Sequence, residues 1–211
     1  MRPRRTTSGL LAMLVFAAAT NAGVTGSAFQ VSARQTESIL DTDGLPHDPF
    51  RPDGAANVIV FVATDCPISN SYAPEIQRIC RDYRSRGVAC FLMYEDVDVT
   101  SSPTPLDDAV KEHVREFRYV DIPAVVDRSR LIARRAKASI TPQAMVIGPE
   151  GEIRYRGRID NLYVAFGKRR PRATEHDLRD ALDAVLERRP VRKVETEALG
   201  CFIVDPAAIR K

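Results

Sequence analysis

An α/β protein with a mixed central sheet covered by helices on both faces is the fold class predicted for this sequence of 211 residues. Three observations lead there. Val58 to Ala63 and Val88 to Tyr94 are continuous apolar runs, as expected of strands buried on both faces. Between them, Ser71 to Arg86 carries Ile76, Ile79, Cys80 and Tyr83 at the i, i+3, i+4, i+7 spacing of a helix. Later, Ala144 to Ile147, the turn Pro149-Glu-Gly-Glu152 and Ile153 to Ile159 read as a hairpin, followed by a helix over Thr174 to Arg188.

The remaining elements fit the same alternation. Gly87 is placed to stop the first helix. Leu106 to Phe117 has Val110, Val114 and Phe117 at helical spacing, with Pro105 suited to a first turn. Ala124 to Val126 reads as a short strand and Ser129 to Lys137 as a short basic helix. Thr174 and Asp177 have the spacing of a capping box. The stretch 29–52 is polar, rich in Asp, Gly and Pro, and shows no sustained period, so it reads as an irregular lead-in. The folded domain is predicted over 53–189, with 190–211 as a C-terminal tail.

Residues 1–28 have a basic start, an apolar run from Leu10 to Ala19 and a small-residue site at Gly26-Ser27-Ala28, the three parts of a secretory signal peptide. The apolar run is well short of the ~20 residues a membrane-spanning helix needs. Arg2, Arg4 and Arg5 fall in this segment with no acid; without them the 31 basic residues become 28, equal to the 28 acidic ones. The mature chain is then near neutral, and nothing global points to nucleic acid. A periplasmic or secreted location follows, with membrane contact only through an uncleaved signal. In such compartments disulfides form and persist.

The chemistry centres on Cys66, at the carboxyl end of the Val58–Ala63 strand and just before a helix. Ligands of open α/β sheets collect at those strand ends. Free N–H groups at a helix start favour thiolate, the reactive form of cysteine. Asp65 opposes this, since a like charge at ~6 Å and an effective dielectric of ~40 costs ~1.4 kcal/mol. The two effects are comparable in size.

The segment Thr64-Asp-Cys66-Pro-Ile-Ser69-Asn-Ser-Tyr-Ala-Pro74 resembles the active-site segment of the thioredoxin-like superfamily, in particular the exported redoxins of the AhpC/TSA type. Pro74, eight residues after Cys66, stands where thioredoxins also carry a proline. The resemblance implies a thioredoxin-like three-layer α/β/α fold, with the helix and strand between Leu106 and Val126 as a peroxiredoxin-type insertion. It also implies that Pro142, in Ile140-Thr141-Pro142, forms a cis peptide beside the active cysteine. It implies a thiol-dependent oxidoreductase acting on a protein or small-molecule disulfide or on a peroxide, with an unidentified electron donor and no cofactor.

This chain departs from the family pattern in several places. Ser69 replaces the second cysteine of Cys-x-x-Cys, and the sequence holds no tryptophan. Thr64 stands two residues before Cys66, whereas a peroxiredoxin places its Thr or Ser three before. Two roles are open to Ser69, a hydrogen bond to a Cys66 thiolate or a helix cap. A resolving thiol must come from elsewhere. Cys80 on the helix stripe and Cys90 within the strand read as small buried hydrophobes, with a structural bridge between them as the competing reading. Cys201 lies in Glu197-Ala-Leu-Gly200-Cys201, where Gly200 lets the backbone turn freely and the tail is long enough to cross to the active face. Redoxin relatives share a Gly-Cys near this end, which implies a role for Cys201; pairing with Cys66 and a lone or intermolecular thiol are both open.

His47, His113 and His176 make no metal-ligand spacing with the cysteines, and His113 reads as a surface or packing residue. Tyr155 and Tyr163 read as packing groups. The run Gly167 to Arg172 reads as a solvated basic loop, with binding of an acidic partner or phosphate as the alternative. The competing function is a non-catalytic or metallochaperone-like binding module on the same fold. The copper-chaperone version would need a cysteine at Asn70.

Overall fold

The structure, a computed structural model, describes residues 38–96 and 104–204. The signal peptide read at 1–28 and the final residues 205–211 lie outside them. In chain order the elements are β1 (Ile39–Leu40), β2 (Pro46–His47), β3 (Ala56–Val62), α1 (Pro67–Arg84), β4 (Val88–Tyr94), α2 (Leu106–Glu116), β5 (Ala124–Val126) and α3 (Leu131–Ala136). There follow β6 (Ile140–Thr141), β7 (Gln143–Ile147), β8 (Ile153–Gly157), β9 (Tyr163–Ala165), β10 (Lys168–Arg169), α4 (Asp177–Leu186) and β11 (Cys201–Phe202).

The central sheet has the order β5-β4-β3-β7-β8. β4 runs parallel to β3 and β5, whereas β7 is antiparallel to β3 and β8 is antiparallel to β7. β3 is buried along its whole length because alternate residues feed two different cores. Val58, Val60 and Val62 face Ile76, Ile79 and Tyr83 of α1, Val110 of α2 and Leu178 and Leu182 of α4. Ile59 and Phe61 face Ile132 and Ala136 of α3, with Phe50 of the lead-in. These are the three layers of an α/β/α fold. α2 and β5 form the inserted unit, with β5 docking on β4 through Leu92 and Ala124.

Several boundaries differ from the sequence expectation. α1 starts at Pro67, four residues before Ser71, because Cys66 itself occupies the N-cap and Pro67 takes the first turn, where its missing N–H costs nothing. The capping box expected at Thr174 does not form: α4 begins at Asp177, and the Thr174 hydroxyl accepts from Asn161 Nδ2 at 2.9 Å. The lead-in is more regular than its composition suggests. Asp41 Oδ1 accepts from the Asp43 and Leu45 amides, each at 2.9 Å, and Oδ2 meets His47 Nε2 at 2.7 Å, which folds β1 onto β2 without any hydrophobic period.

Cys80 and Cys90 form a disulfide. This corrects the reading of two separate buried thiols. α1 packs on β4 with the two Cα atoms 5.8 Å apart, inside the range a bridge spans.

Candidate active site

Cys66 ends the turn that leaves β3, held by its own amide donating to the Ala63 carbonyl at 3.3 Å. Its Sγ donates to the Thr141 carbonyl at 3.1 Å and accepts from the Ser69 backbone N–H at 3.4 Å. The sulfur therefore touches both the first turn of α1 and the residue preceding Pro142. The Thr141–Pro142 peptide is cis. Cys66 is 0% exposed, so its sulfur is covered although it stands at a strand end. Cys201, on the tail, lies against it.

From Val194 onward the tail runs along the domain. Arg156 N donates to Val194 O at 3.0 Å and Thr196 N donates back to Arg156 O at 3.1 Å. The Thr196 hydroxyl accepts from Arg158 N at 3.1 Å and meets the Tyr155 hydroxyl at 2.6 Å, so Tyr155 anchors the tail as well as packing in the core. The chain then pairs antiparallel with β6, setting Cys201 opposite Thr141 and Phe202 opposite Ile140. Thr141 thus faces Cys66 through its carbonyl and Cys201 through the ladder. The Cys201 thiol lies within hydrogen-bond reach of the Cys66 sulfur. Burial, that hydrogen bond and the neighbouring Cys66 and Asp65 charges push the Cys201 thiol up to about 12.

Gly200 has a different role from the one expected. It is not needed for a left-handed turn; a Cβ there would overlap the Thr141 carbonyl and crowd Ile140. Only glycine brings the tail close enough to set Cys201 beside Cys66.

The other predicted residues are placed as follows. Thr64 does not reach the sulfur; its amide donates to Asp96 Oδ1 at 2.9 Å and its hydroxyl donates to the same oxygen. The Ser69 hydroxyl is buried and has no hydrogen-bond partner among the described residues. Only the Ser69 backbone serves Cys66, so neither side-chain role open in the sequence is taken up. Pro142 lines a cleft of about 330 Å³ together with Tyr72, Asp160, Tyr163 and Leu199. The Tyr72 hydroxyl donates to Asp160 at 2.6 Å.

Sequence reasoning missed a polar network behind the loop. His113 is buried, with Nδ1 2.9 Å from the Tyr94 hydroxyl and Nε2 2.9 Å from Asn70 Oδ1, while Asn70 Nδ2 donates to Thr64 O at 2.9 Å. Of the two readings, surface or packing, the second holds, since the ring stacks on Phe117, and its hydrogen bonds add to that packing. The signal was available, because His113 follows Val110 by three residues on the inward stripe of α2. Next to Asp96, Glu95 and Arg130 are almost fully enclosed, with carboxylate and guanidinium 3.4 Å apart. Among the described residues no group of three His, Cys, Asp or Glu is arranged to hold a metal ion.

Two of these groups titrate in opposite senses. Burial pushes His113 down from 6.5 to about 4. An unfolded chain accepts that proton first, so stability falls as pH drops from 6.5 towards 4. Burial, then the Asp127 and Asp96 charges, outweigh Arg130 and push Glu95 up from 4.5 to about 8. An unfolded chain loses that proton first, so stability falls as pH rises from 4.5 towards 8. The two slopes oppose each other between 4.5 and 6.5, which leaves the Glu95 decline uncovered from 6.5 to about 8. Urea midpoints are expected to fall across that window in the wild type and to stay flat in Glu95→Gln. An unchanged slope in the variant would remove Glu95 as its source.

No protein-family model matches the chain, and no curated protein matches it. Solved structures do resemble it. A hypothetical protein, SMc02350 of Sinorhizobium meliloti 1021, is 26% identical with a TM-score of 0.67, covering 79% of this chain and 88% of that one. An uncharacterized conserved protein of Geobacillus kaustophilus is 26% identical with a TM-score of 0.66, covering 79% and 86%. A putative thioredoxin of Neisseria meningitidis shares the fold at 18% identity and a TM-score of 0.52, covering 71% and 87%. The sheet order, the helix rising from Cys66, the cis peptide at Pro142 and this likeness agree: the chain is a thioredoxin-like protein by fold.

Proposed function

We propose that this chain is a thiol-disulfide oxidoreductase in which Cys66 is the nucleophile and Cys201, on the tail, is the resolving thiol. The single observation that carries the reading is the meeting of these two free thiols across Thr141. The pair replaces the second cysteine that Ser69 displaces from the helix.

The reaction balances as two thiol–disulfide exchanges. The Cys66 thiolate attacks one sulfur of a substrate disulfide, forming a mixed disulfide and releasing the other sulfur as thiolate. The Cys201 sulfur then attacks Cys66, releasing the second substrate sulfur and closing a Cys66–Cys201 disulfide. Burial keeps Cys201 protonated until this step; its proton passes to one departing substrate thiolate, and the proton that Cys66 released on ionising protonates the other. Two electrons pass to substrate, and an external dithiol must return them. The Ser69 amide supports sulfur charge on Cys66 in both steps. Pro142 and its cleft form one wall for the incoming substrate.

We also infer that the protein works outside the cytoplasm. The signal pattern at 1–28 supports this, as does the Cys80–Cys90 bridge, since such bonds persist in oxidising compartments.

Peptide mapping of the oxidised full chain tests the assignment. The expected products are Cys66–Cys201 and Cys80–Cys90 crosslinks, with the first lost in one two-electron step of a glutathione titration. Cys66 remaining free while a small disulfide is present would overturn the reading. Faster consumption of hydrogen peroxide than of the disulfide, measured side by side, would reassign the substrate to peroxide.

A further inference from the structure

Besides Thr141, Arg130 forms a second link between the segments that carry the two reactive cysteines. Its Nε donates to Val204 O at 3.1 Å, three residues beyond Cys201. Its Nη2 donates to the carbonyls of Glu95 at 3.0 Å and Asp96 at 2.9 Å, and Nη1 donates to Asp127 O at 2.8 Å. Asp96 in turn holds Thr64, two residues before Cys66, through its carboxylate. The links form a ring: Cys66, Thr64, Asp96, Arg130, Val204, Cys201.

Local structure supports a special role. Arg130 sits at φ +56°, a left-handed conformation that non-glycine residues adopt at a cost. Asp127 reinforces the position by accepting from the Leu131 and Ala133 amides, each at 2.8–2.9 Å, which fixes the start of α3. Among the described residues, the tail beyond Gly200 has few other hydrogen bonds. Its pairing with β6 is two residues long, Phe202 is 76% exposed, and Ile203 N adds one bond to Ser139 O at 2.9 Å.

We propose that Arg130 is the positioning residue for the resolving thiol: by clamping Val204 to the carbonyls of Glu95 and Asp96 it holds the tail closed over Cys66, so that Cys201 meets it in register. This rests on the Cys66–Cys201 exchange proposed above. The step it assists joins the two sulfurs as two thiol S–H bonds are lost, with two electrons and two protons passing to glutathione disulfide, which becomes two glutathione thiols.

The test is the equilibrium constant of the Cys66–Cys201 bond in glutathione buffers, read by alkylation and mass spectrometry on the full chain. Loss of a charge-assisted hydrogen bond corresponds to about tenfold or more. Arg130→Met is expected to lower the constant by about that factor and to speed Cys66 alkylation in the reduced protein by a similar one. In Gly200→Val, where the tail is already displaced by the Thr141 carbonyl, Arg130→Met is expected to change neither value. An equal effect in both backgrounds would overturn the inference, because Arg130 would then act through the core. So would no effect in the wild-type background while the disulfide still forms. If the wild type forms no Cys66–Cys201 disulfide at all, the oxidoreductase reading fails and this inference with it. Should Arg130→Met not fold, Arg130→Lys carries the same comparison, since it keeps the charge beside Glu95 but not the fork that spans these carbonyls.

Discussion

Cys66→Ser is expected to reduce disulfide turnover by roughly three orders of magnitude or more, to the assay background. A serine hydroxyl at this site has no general base within hydrogen-bond reach among the described residues, where the Cys66 sulfur bonds to a carbonyl, an amide and a second thiol. The fold should survive, because serine fills nearly the same volume and can still accept from Ser69 N at the N-cap. Cys201→Ser separates the two steps. The first exchange proceeds, and a mixed disulfide on Cys66 accumulates in stoichiometric amount, visible as a mass increase. Ser69→Ala serves as the control: its hydroxyl makes no hydrogen bond among the described residues, so turnover should change by no more than about twofold. Full activity in Cys66→Ser would end the assignment.

Gly200→Ala is expected to have the next largest effect, and to act on access rather than on global stability. The added methyl overlaps the Thr141 carbonyl, and Thr141 is buried in β6 with that carbonyl bonded to Cys66, so the tail is the part that moves. Overpacking of this kind costs about 1–3 kcal/mol, enough to displace a two-residue ladder. Cys66, fully covered in the closed form, should then be alkylated about ten- to a hundredfold faster. The thermal midpoint should barely change, because neither hydrophobic core includes Gly200. Unchanged alkylation kinetics would show that something other than the tail shields the sulfur.

These two residues also mark how far the sequence could be read. Cys66 was legible because a buried apolar strand followed by an apolar helical stripe places the intervening cysteine at a strand end, whatever the rest of the chain does. β3, β4 and β7 were legible for the same reason, since burial on both faces leaves an apolar run, whereas β8, which carries Arg154 and Arg156, was legible only as the hairpin partner after the turn at 149–152. Gly200 was noticed for the wrong reason. Its value lies in close approach to a carbonyl of a residue 59 positions earlier, which no local pattern encodes. Arg130, Glu95 and Asp96 were missed because charged residues in a sequence read as solvated, and their enclosure follows from where β4, α3 and the tail converge.

What the sequence determines by itself is the layered α/β architecture and the station of one cysteine, because hydrophobic periodicity is local and 3.6- and 2-residue repeats are read directly from the chain. What only the tertiary structure decides is which partner that cysteine meets and how it is shielded. The Cys80–Cys90 bridge, the approach of Cys201 and the burial of Cys66 all depend on long-range backbone placement: a helix packed on a strand, and a tail laid against β6. Pairings of that kind are set by distances in the folded chain, and sequence separation carries no record of them.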